Sequence, residues 1–147
     1  MENVLSSQQT SVLYKEKHHC PIFVLGCIDF RFKDRIAGYI QENHGETDFD
    51  ESLMAGASKN LLDETTQEVV LKQLKVTHDL HCSKLVYLTN HIDCGAYGGS
   101  KAFDSKEAEV AKLTEDLRTA RDIVKAKYPD MEVKLLLLDW EETIEVA

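Results

Sequence analysis

The chain has 147 residues, of which 43% are hydrophobic and 29% are charged, and its formal net charge is −9. This length and composition suit a single domain with an ordinary apolar core. The negative charge excludes nucleic acid and anionic membrane surfaces as expected partners, and no apolar run approaches the roughly 20 residues that span a bilayer.

The first 19 residues are polar and lack both the basic start and the apolar stretch of a secretory signal. We therefore expect a cytoplasmic protein with a short N-terminal arm (1–19) and a single α/β domain (20–147). The domain begins with a continuous apolar run, Pro21 to Gly26, which predicts a strand buried on both faces. A helix over 33–44 follows and ends at Gly45.

The middle of the chain repeats this order of strand and helix. Residues 48–54 predict a second strand, 62–80 a helix, and Lys84 to Thr89 another buried strand. A glycine-rich loop, HIDCGAYGG, comes next.

A long helix begins at Asp104, with Glu107 three residues later as its capping partner. Its apolar stripe has helical spacing and comprises Val110, Leu113, Leu117, Ala120 and Val124. Val133 to Leu138 predicts a further strand, and Thr143 to Val146 pairs beside it. Alternating strands and helices predict an α/β fold with a mostly parallel central sheet flanked by helices.

Residues that bind metals follow two of the buried strands. Cys27 ends the first strand, and His91 and Cys94 follow the strand that begins at Lys84. Ligands gather beyond the carboxyl ends of parallel strands, so the three side chains meet if these strands are neighbours. The pattern predicts a zinc ion with three protein ligands and a free fourth position, which is typical of catalytic zinc. Cys20 and Cys82 precede the same strands and are too far away to contribute.

Asp29 and Arg31 lie two residues apart directly after Cys27. An ionised Asp29 can accept a hydrogen bond from a zinc-bound hydroxide, and a bidentate pair with Arg31 holds it ionised. If Arg31 released it, Asp29 would become a fourth zinc ligand and close the site. The alternatives are a structural salt bridge for this pair, and a buried thiol or an incidental loop thiol for the cysteines.

A second cluster, His18, His19, Cys20, His81 and Cys82, precedes the same two strands. A second metal site is conceivable there, but surface histidines and a buried thiol are the simpler interpretation.

The motifs CIDFR (27–31) and HIDCG (91–95) resemble those of the β-class carbonic anhydrases, over roughly residues 20–146. The resemblance implies a dimer as the basic unit and reversible hydration of carbon dioxide to bicarbonate by a zinc-bound hydroxide. It also implies that Cys27, His91 and Cys94 are the zinc ligands, with Asp29 and Arg31 as the catalytic pair. The family's Arg-Asn-Ala-Gly is replaced here by Leu53 to Gly56, which leaves dimer geometry and substrate access open.

Two alternative functions remain at this stage. A related zinc hydrolase would act on carbonyl sulfide or carbon disulfide with the same chemistry. A non-catalytic zinc-binding or redox module would keep Asp29 permanently on the metal.

Overall fold

A computed structural model of the protein describes residues 14–147, which are organised around a five-stranded sheet. The strands are β1 (Ile22–Gly26), β2 (Phe49–Leu53), β3 (Leu85–His91), β4 (Glu132–Leu138) and β5 (Thr143–Val146). Their spatial order is β2-β1-β3-β4-β5, with the first four parallel and β5 antiparallel to β4. The predicted α/β fold with a mostly parallel sheet is confirmed.

Among the described residues, three α-helices flank the sheet: α1 (Arg35–His44), α2 (Gln67–Leu80) and α3 (Lys106–Lys127). One face of the sheet packs against α2 and α3 through a core that includes Leu74 and Leu117. The other face packs against α1 through Ile36 and Ile40. Successive strand side chains point to opposite faces, so a strand covered on both sides is apolar throughout. This explains why all five residues of β1 are buried.

β2 contains acidic residues because it is an edge strand of the sheet, where only one side is paired. β3 extends two residues beyond its predicted end, to His91, because β4 pairs with it along its whole length to Leu138. The final residue of β3 is therefore the predicted metal ligand itself.

The predicted helix starts were too early. Helix α1 begins at Arg35, after a short 3-10 turn over Phe30–Phe32, and α2 begins at Gln67. The prediction that Asp104 caps α3 was wrong: Ser105 is the N-cap, and its hydroxyl accepts a hydrogen bond from the backbone N–H of Ala108 at 3.1 Å.

The predicted N-terminal arm (1–19) falls largely outside the described residues. Within residues 14–147, no helix combines the length and the apolar character needed to cross a membrane.

Candidate metal centre

The three predicted metal ligands meet at the carboxyl edge of the sheet. Because β1 and β3 are parallel neighbours, Cys27 after β1 and His91 at the end of β3 lie side by side. Cys94 returns to the same point through a tight turn. The two sulfurs and the imidazole nitrogen all lie within 4.8 Å of one another. Residues separated by more than sixty positions in the chain thus form one group that can hold a metal ion.

The His91 ring is oriented for a metal. Its Nδ1 lies 2.7 Å from the backbone carbonyl of Ile92 and donates to it, which leaves the Nε2 lone pair free. This residue is only 1% exposed, and Nε2 has no hydrogen-bond partner among the described residues. A buried polar atom without a partner is costly, and a metal between Nε2 and the two sulfurs would satisfy it.

The two cysteines differ in how readily they ionise. The pKa of Cys27 is lowered to about 4, chiefly because the Cys94 thiol donates a hydrogen bond to it. The pKa of Cys94 is raised, chiefly because its proton is held by the Cys27 sulfur. Backbone N–H groups also stabilise both sulfurs: those of Gly56 and Asp29 at Cys27, and those of Ala96 and Tyr97 at Cys94. The two cysteines thus share one proton. A divalent cation would displace this proton, because cysteine binds metals as the thiolate.

Gly56 allows the loop after β2 to approach the loop after β3. Its φ is +86°, and a Cβ at this position would lie 2.9 Å from the Cβ of Ala96. A side chain at Gly56 would therefore push the two loops apart and move its N–H away from Cys27. The Leu53 to Gly56 stretch retains this glycine.

Asp29 and Arg31 form the predicted pair. Arg31 donates from Nε to Oδ1 at 3.0 Å and from its terminal nitrogen to Oδ2 at 2.6 Å. These contacts lower the pKa of Asp29 to about 2. The Oδ2 atom also lies 3.8 Å from Nε2 of His91, so the carboxylate stands at the edge of the ligand group.

Asp93 is a second partner of Arg31 that the sequence analysis did not identify. Arg31 donates to the Asp93 side chain at 3.0 Å and to its backbone carbonyl at 3.0 Å. Asp93 has a left-handed φ of +59°, and its Oδ1 accepts from the backbone N–H of Ser100 at 2.7 Å. Its position between His91 and Cys94, two predicted ligands, was the feature of the sequence that could have identified it.

Two buried carboxylates on α3 were also missed. Glu109, 2% exposed, accepts hydrogen bonds from the backbone N–H of Asp93 and from the hydroxyl of Ser100. Asp116, 4% exposed, accepts from the Tyr97 hydroxyl at 2.7 Å. They lie seven residues apart on the buried side of the helix, and both fix the loop that carries Cys94. Glu109 and Asp116 are two helical turns apart and lie beside the apolar stripe of α3, and this spacing could have indicated that both are buried.

The ligand group opens onto a cleft of about 550 Å³. Residues of the loops after β1, β2 and β3 line it: Cys27, Ile28, Asp29, Phe30, Arg31, Ala55, Gly56, Cys94, Gly95 and Ala96. Its rim is apolar and accessible, since Phe30 is 81% exposed and Ile28 is 63% exposed. Leu53, where the resembled family carries arginine, is 49% exposed.

The second cluster, at the opposite edge, does not assemble. Cys20 is buried, Cys82 is exposed, and His81 contacts Asp50 at 2.6 Å instead of a sulfur. Within residues 14–147, the only group of at least three such side chains with converging ligand atoms is Cys27, His91 and Cys94.

Comparison with known proteins gives one family and one fold. The model of the family described as "Putative carbonic anhydrase" matches residues 17–147. An uncharacterized protein of Rickettsia bellii is 29% identical over 137 residues, covering 89% of this chain and 84% of that protein. An uncharacterized protein of Rickettsia conorii is 27% identical, covering 89% of this chain and 74% of that protein.

Solved structures share the fold at low identity. The β-carbonic anhydrase CafA of Aspergillus fumigatus has a TM-score of 0.66 at 14% identity, over 96% of this chain and 83% of its own. A tetrameric β-carbonic anhydrase of Sordaria macrospora has a TM-score of 0.67 at 13% identity, over 95% and 88%. The apo form of a carbon disulfide hydrolase has a TM-score of 0.55 at 15% identity, over 91% and 83%.

Proposed function

Because this chain belongs to the "Putative carbonic anhydrase" family, we propose that it is a zinc-dependent carbonic anhydrase. Its reaction is the reversible hydration of carbon dioxide to bicarbonate. The observation that carries the proposal is the convergence of Cys27, His91 and Cys94 within 4.8 Å. Two thiolates and one imidazole suit Zn²⁺, and three protein ligands leave a fourth position for water.

The residues around the ligands prepare them for a cation. The Ile92 carbonyl fixes the His91 tautomer, and backbone N–H groups stabilise the thiolates. A zinc ion held here supplies a nucleophile by lowering the pKa of water. Two thiolates offset the charge of the ion, so we expect activity to rise with pH above neutral, later than in an all-histidine site.

Asp29 orients the attacking water. Its pKa of about 2 keeps it ionised at working pH, where it accepts a hydrogen bond and cannot donate one. Arg31 holds both carboxylate oxygens with separate nitrogens, which directs the carboxylate towards the ligand group without placing it there. In this arrangement Arg31 holds Asp29, and the fourth position would stay available for water.

The cleft suits a small uncharged substrate. Ile28 and Phe30 give it an apolar rim, and carbon dioxide needs no charged recognition group. A cleft of about 550 Å³ with so exposed a rim is much larger than this substrate. We propose that a second copy of the chain covers the rim, in a homodimer or a higher homo-oligomer.

We further propose that residues 20–147 are one catalytic domain, with 1–19 as its arm, and that the protein works in the cytoplasm. The single sheet within residues 14–147 supports the proposal of one domain. Four free cysteines support the cytoplasmic location, because a reducing compartment keeps thiols free.

Hydrolysis of carbonyl sulfide or carbon disulfide is the second candidate. The shared fold with a carbon disulfide hydrolase favours it, and the same ligand set would serve. The third candidate, a non-catalytic zinc or redox module, would need Asp29 as a permanent ligand. The contacts between Asp29 and Arg31 argue against this module.

Stopped-flow hydration of carbon dioxide by the zinc-loaded protein tests the proposal, with Asp29→Asn as the variant and Asp79→Asn, an exposed acid on α2, as control. Loss of the oriented acceptor should lower the rate about 100-fold or more while zinc stays bound. Equal rates for wild type and Asp29→Asn would contradict the proposal. Turnover of carbonyl sulfide or carbon disulfide, with no carbon dioxide hydration, would favour the second candidate.

A further inference from the structure

Trp140, the only tryptophan of the chain, lies beside the pair formed by Asp29 and Arg31 rather than in the core. Its side chain is 48% exposed, so burial of apolar surface does not explain its position. The Cζ atom of Arg31 stands 5.1 Å from the centroid of the indole ring. This is the distance of a cation–π contact.

The same indole ring reaches the ligand group through Phe32. The Trp140 and Phe32 rings are stacked, with centroids 5.2 Å apart and an interplanar angle of 26°. Phe32 in turn packs on the His91 ring at 4.5 Å. One side chain therefore adjoins both the arginine that holds Asp29 and the residue that packs on the predicted histidine ligand.

The backbone that carries Trp140 is held in place. Arg35 donates to the carbonyls of Asp139 and Trp140 at 2.8 Å and to that of Glu142 at 3.0 Å. The carboxylate of Asp139 accepts from the backbone N–H of Trp140 at 2.7 Å. The turn between β4 and β5 is thus a fixed support for the indole ring.

The indole ring adds to the contacts that Arg31 already makes with Asp93, at 3.0 Å to its side chain and 3.0 Å to its backbone carbonyl. The Arg31 side chain is 35% exposed, and a long arginine side chain loses considerable conformational freedom when it is held in one position. The Asp29 carboxylate that it binds is only 3.8 Å from Nε2 of His91. A small movement of Arg31 away from Asp29 would let this carboxylate reach a metal between the three ligands.

We propose that Trp140 is a positioning residue that holds the Arg31 guanidinium against Asp29 and so keeps Asp29 off the metal. This inference rests on the proposed metal centre. Without the indole ring, Arg31 releases Asp29 more often, and the carboxylate occupies the fourth position.

Cobalt(II) in place of zinc tests this without an activity assay, because its visible absorption reports the ligands. The variants are Trp140→Leu, which removes the flat ring, and Trp140→Phe, which keeps one. The control is Leu80→Ala, because Leu80 lies on α2 and is 66% exposed. We expect Trp140→Leu to shift the absorption and to bind cobalt about two- to fivefold more tightly. This is the size of effect expected from the loss of one exposed cation–π contact. Trp140→Phe and Leu80→Ala should match the wild type.

The double variant Trp140→Leu/Asp29→Asn decides the mechanism, because it lacks the carboxylate that would move. Its spectrum should equal that of Asp29→Asn alone. A shift that persists in this background, or no shift in folded Trp140→Leu, would overturn the inference. Absence of cobalt binding in the wild type would overturn it together with the metal centre. An Asp29-dependent shift in a protein that does not hydrate carbon dioxide would support it and reject only the proposed reaction.

Discussion

The carboxylate of Glu109 accepts a hydrogen bond from the backbone N–H of Asp93 at 3.0 Å, although the two residues belong to different elements. Glu109 lies in the first turns of α3, and Asp93 lies in the loop between two predicted metal ligands. A second contact, from the hydroxyl of Ser100, holds the other end of the same loop. The position of Cys94 therefore depends on a helix that contributes no ligand.

Glu109→Ala should lower the free energy of unfolding by about 1–3 kcal/mol, because it leaves a partly buried N–H and a partly buried hydroxyl without an acceptor. Glu109→Gln keeps one oxygen and should cost less. Urea denaturation measures the difference, with Glu115→Ala, an exposed position on the same helix, as control. If Glu109→Ala and Glu115→Ala were equally stable, the loop would not depend on this contact.

Cys27→Ser should lower zinc affinity more than about 100-fold. Loss of a residue that only hydrogen-bonds to a metal ligand already costs about 10–100-fold, and Cys27 is proposed as a ligand itself. Cys82→Ser is the matched control, because this free thiol is exposed and lies at the opposite edge of the sheet. Competition with a chromophoric chelator measures both affinities. Similar affinities for the two variants would remove Cys27 from the ligand group.

Gly56→Ala should destabilise the protein for two separable reasons. A residue with a Cβ is strained at a φ of +86°, at about 1–2 kcal/mol, and the new methyl group meets the Cβ of Ala96. Adding Ala96→Gly removes the collision but leaves the backbone strain, so it should restore part of the loss. Chemical denaturation of the single and double variants tests this. Full recovery in the double variant would show that the left-handed backbone carries no cost.

His78 should stabilise the protein more in mild acid than in base. Its pKa is raised above 6.5, first by Asp79 and then by Asp130, which it contacts at 2.7 and 2.8 Å. A raised pKa gives stability that is fully present below the unfolded value of 6.5 and is lost as pH rises through the folded value. The melting temperature of His78→Gln should therefore fall further below wild type at pH 5.5 than at pH 9.

Gln73→Ala, at an exposed position on the same helix, controls for the substitution itself. A gap between wild type and His78→Gln that is independent of pH, or larger at pH 9, would contradict the assigned ion pairs.

Sequence reasoning identified those features that depend on local pattern. The apolar runs located β1 and β3. Because ligands gather at the carboxyl ends of parallel strands, the sequence alone predicted that Cys27 lies close to His91. The helix bounds were less accurate because Asp104 and Ser105 are both good caps, and only the turn geometry selects Ser105.

The supporting residues of the site escaped prediction because they act across long distances in the chain. Glu109 reaches Asp93, and Trp140 reaches Arg31 over more than a hundred residues. Such contacts follow from how α3 and the turn after β4 pack on the sheet edge, and no periodicity in the sequence records that packing. Asp93 belongs to the HIDCG motif, but its hydrogen bonds with Arg31 could be identified only from the structure.

X-ray absorption at the zinc edge tests the central claim most directly, because it counts the ligand atoms of a bound metal. We expect about one zinc per chain, with two sulfurs at about 2.3 Å and one nitrogen and one oxygen at about 2.0–2.2 Å. In Cys27→Ser, any zinc that remains should show one sulfur. A protein without stoichiometric zinc, or zinc with no sulfur ligands, would contradict a metal centre at Cys27, His91 and Cys94.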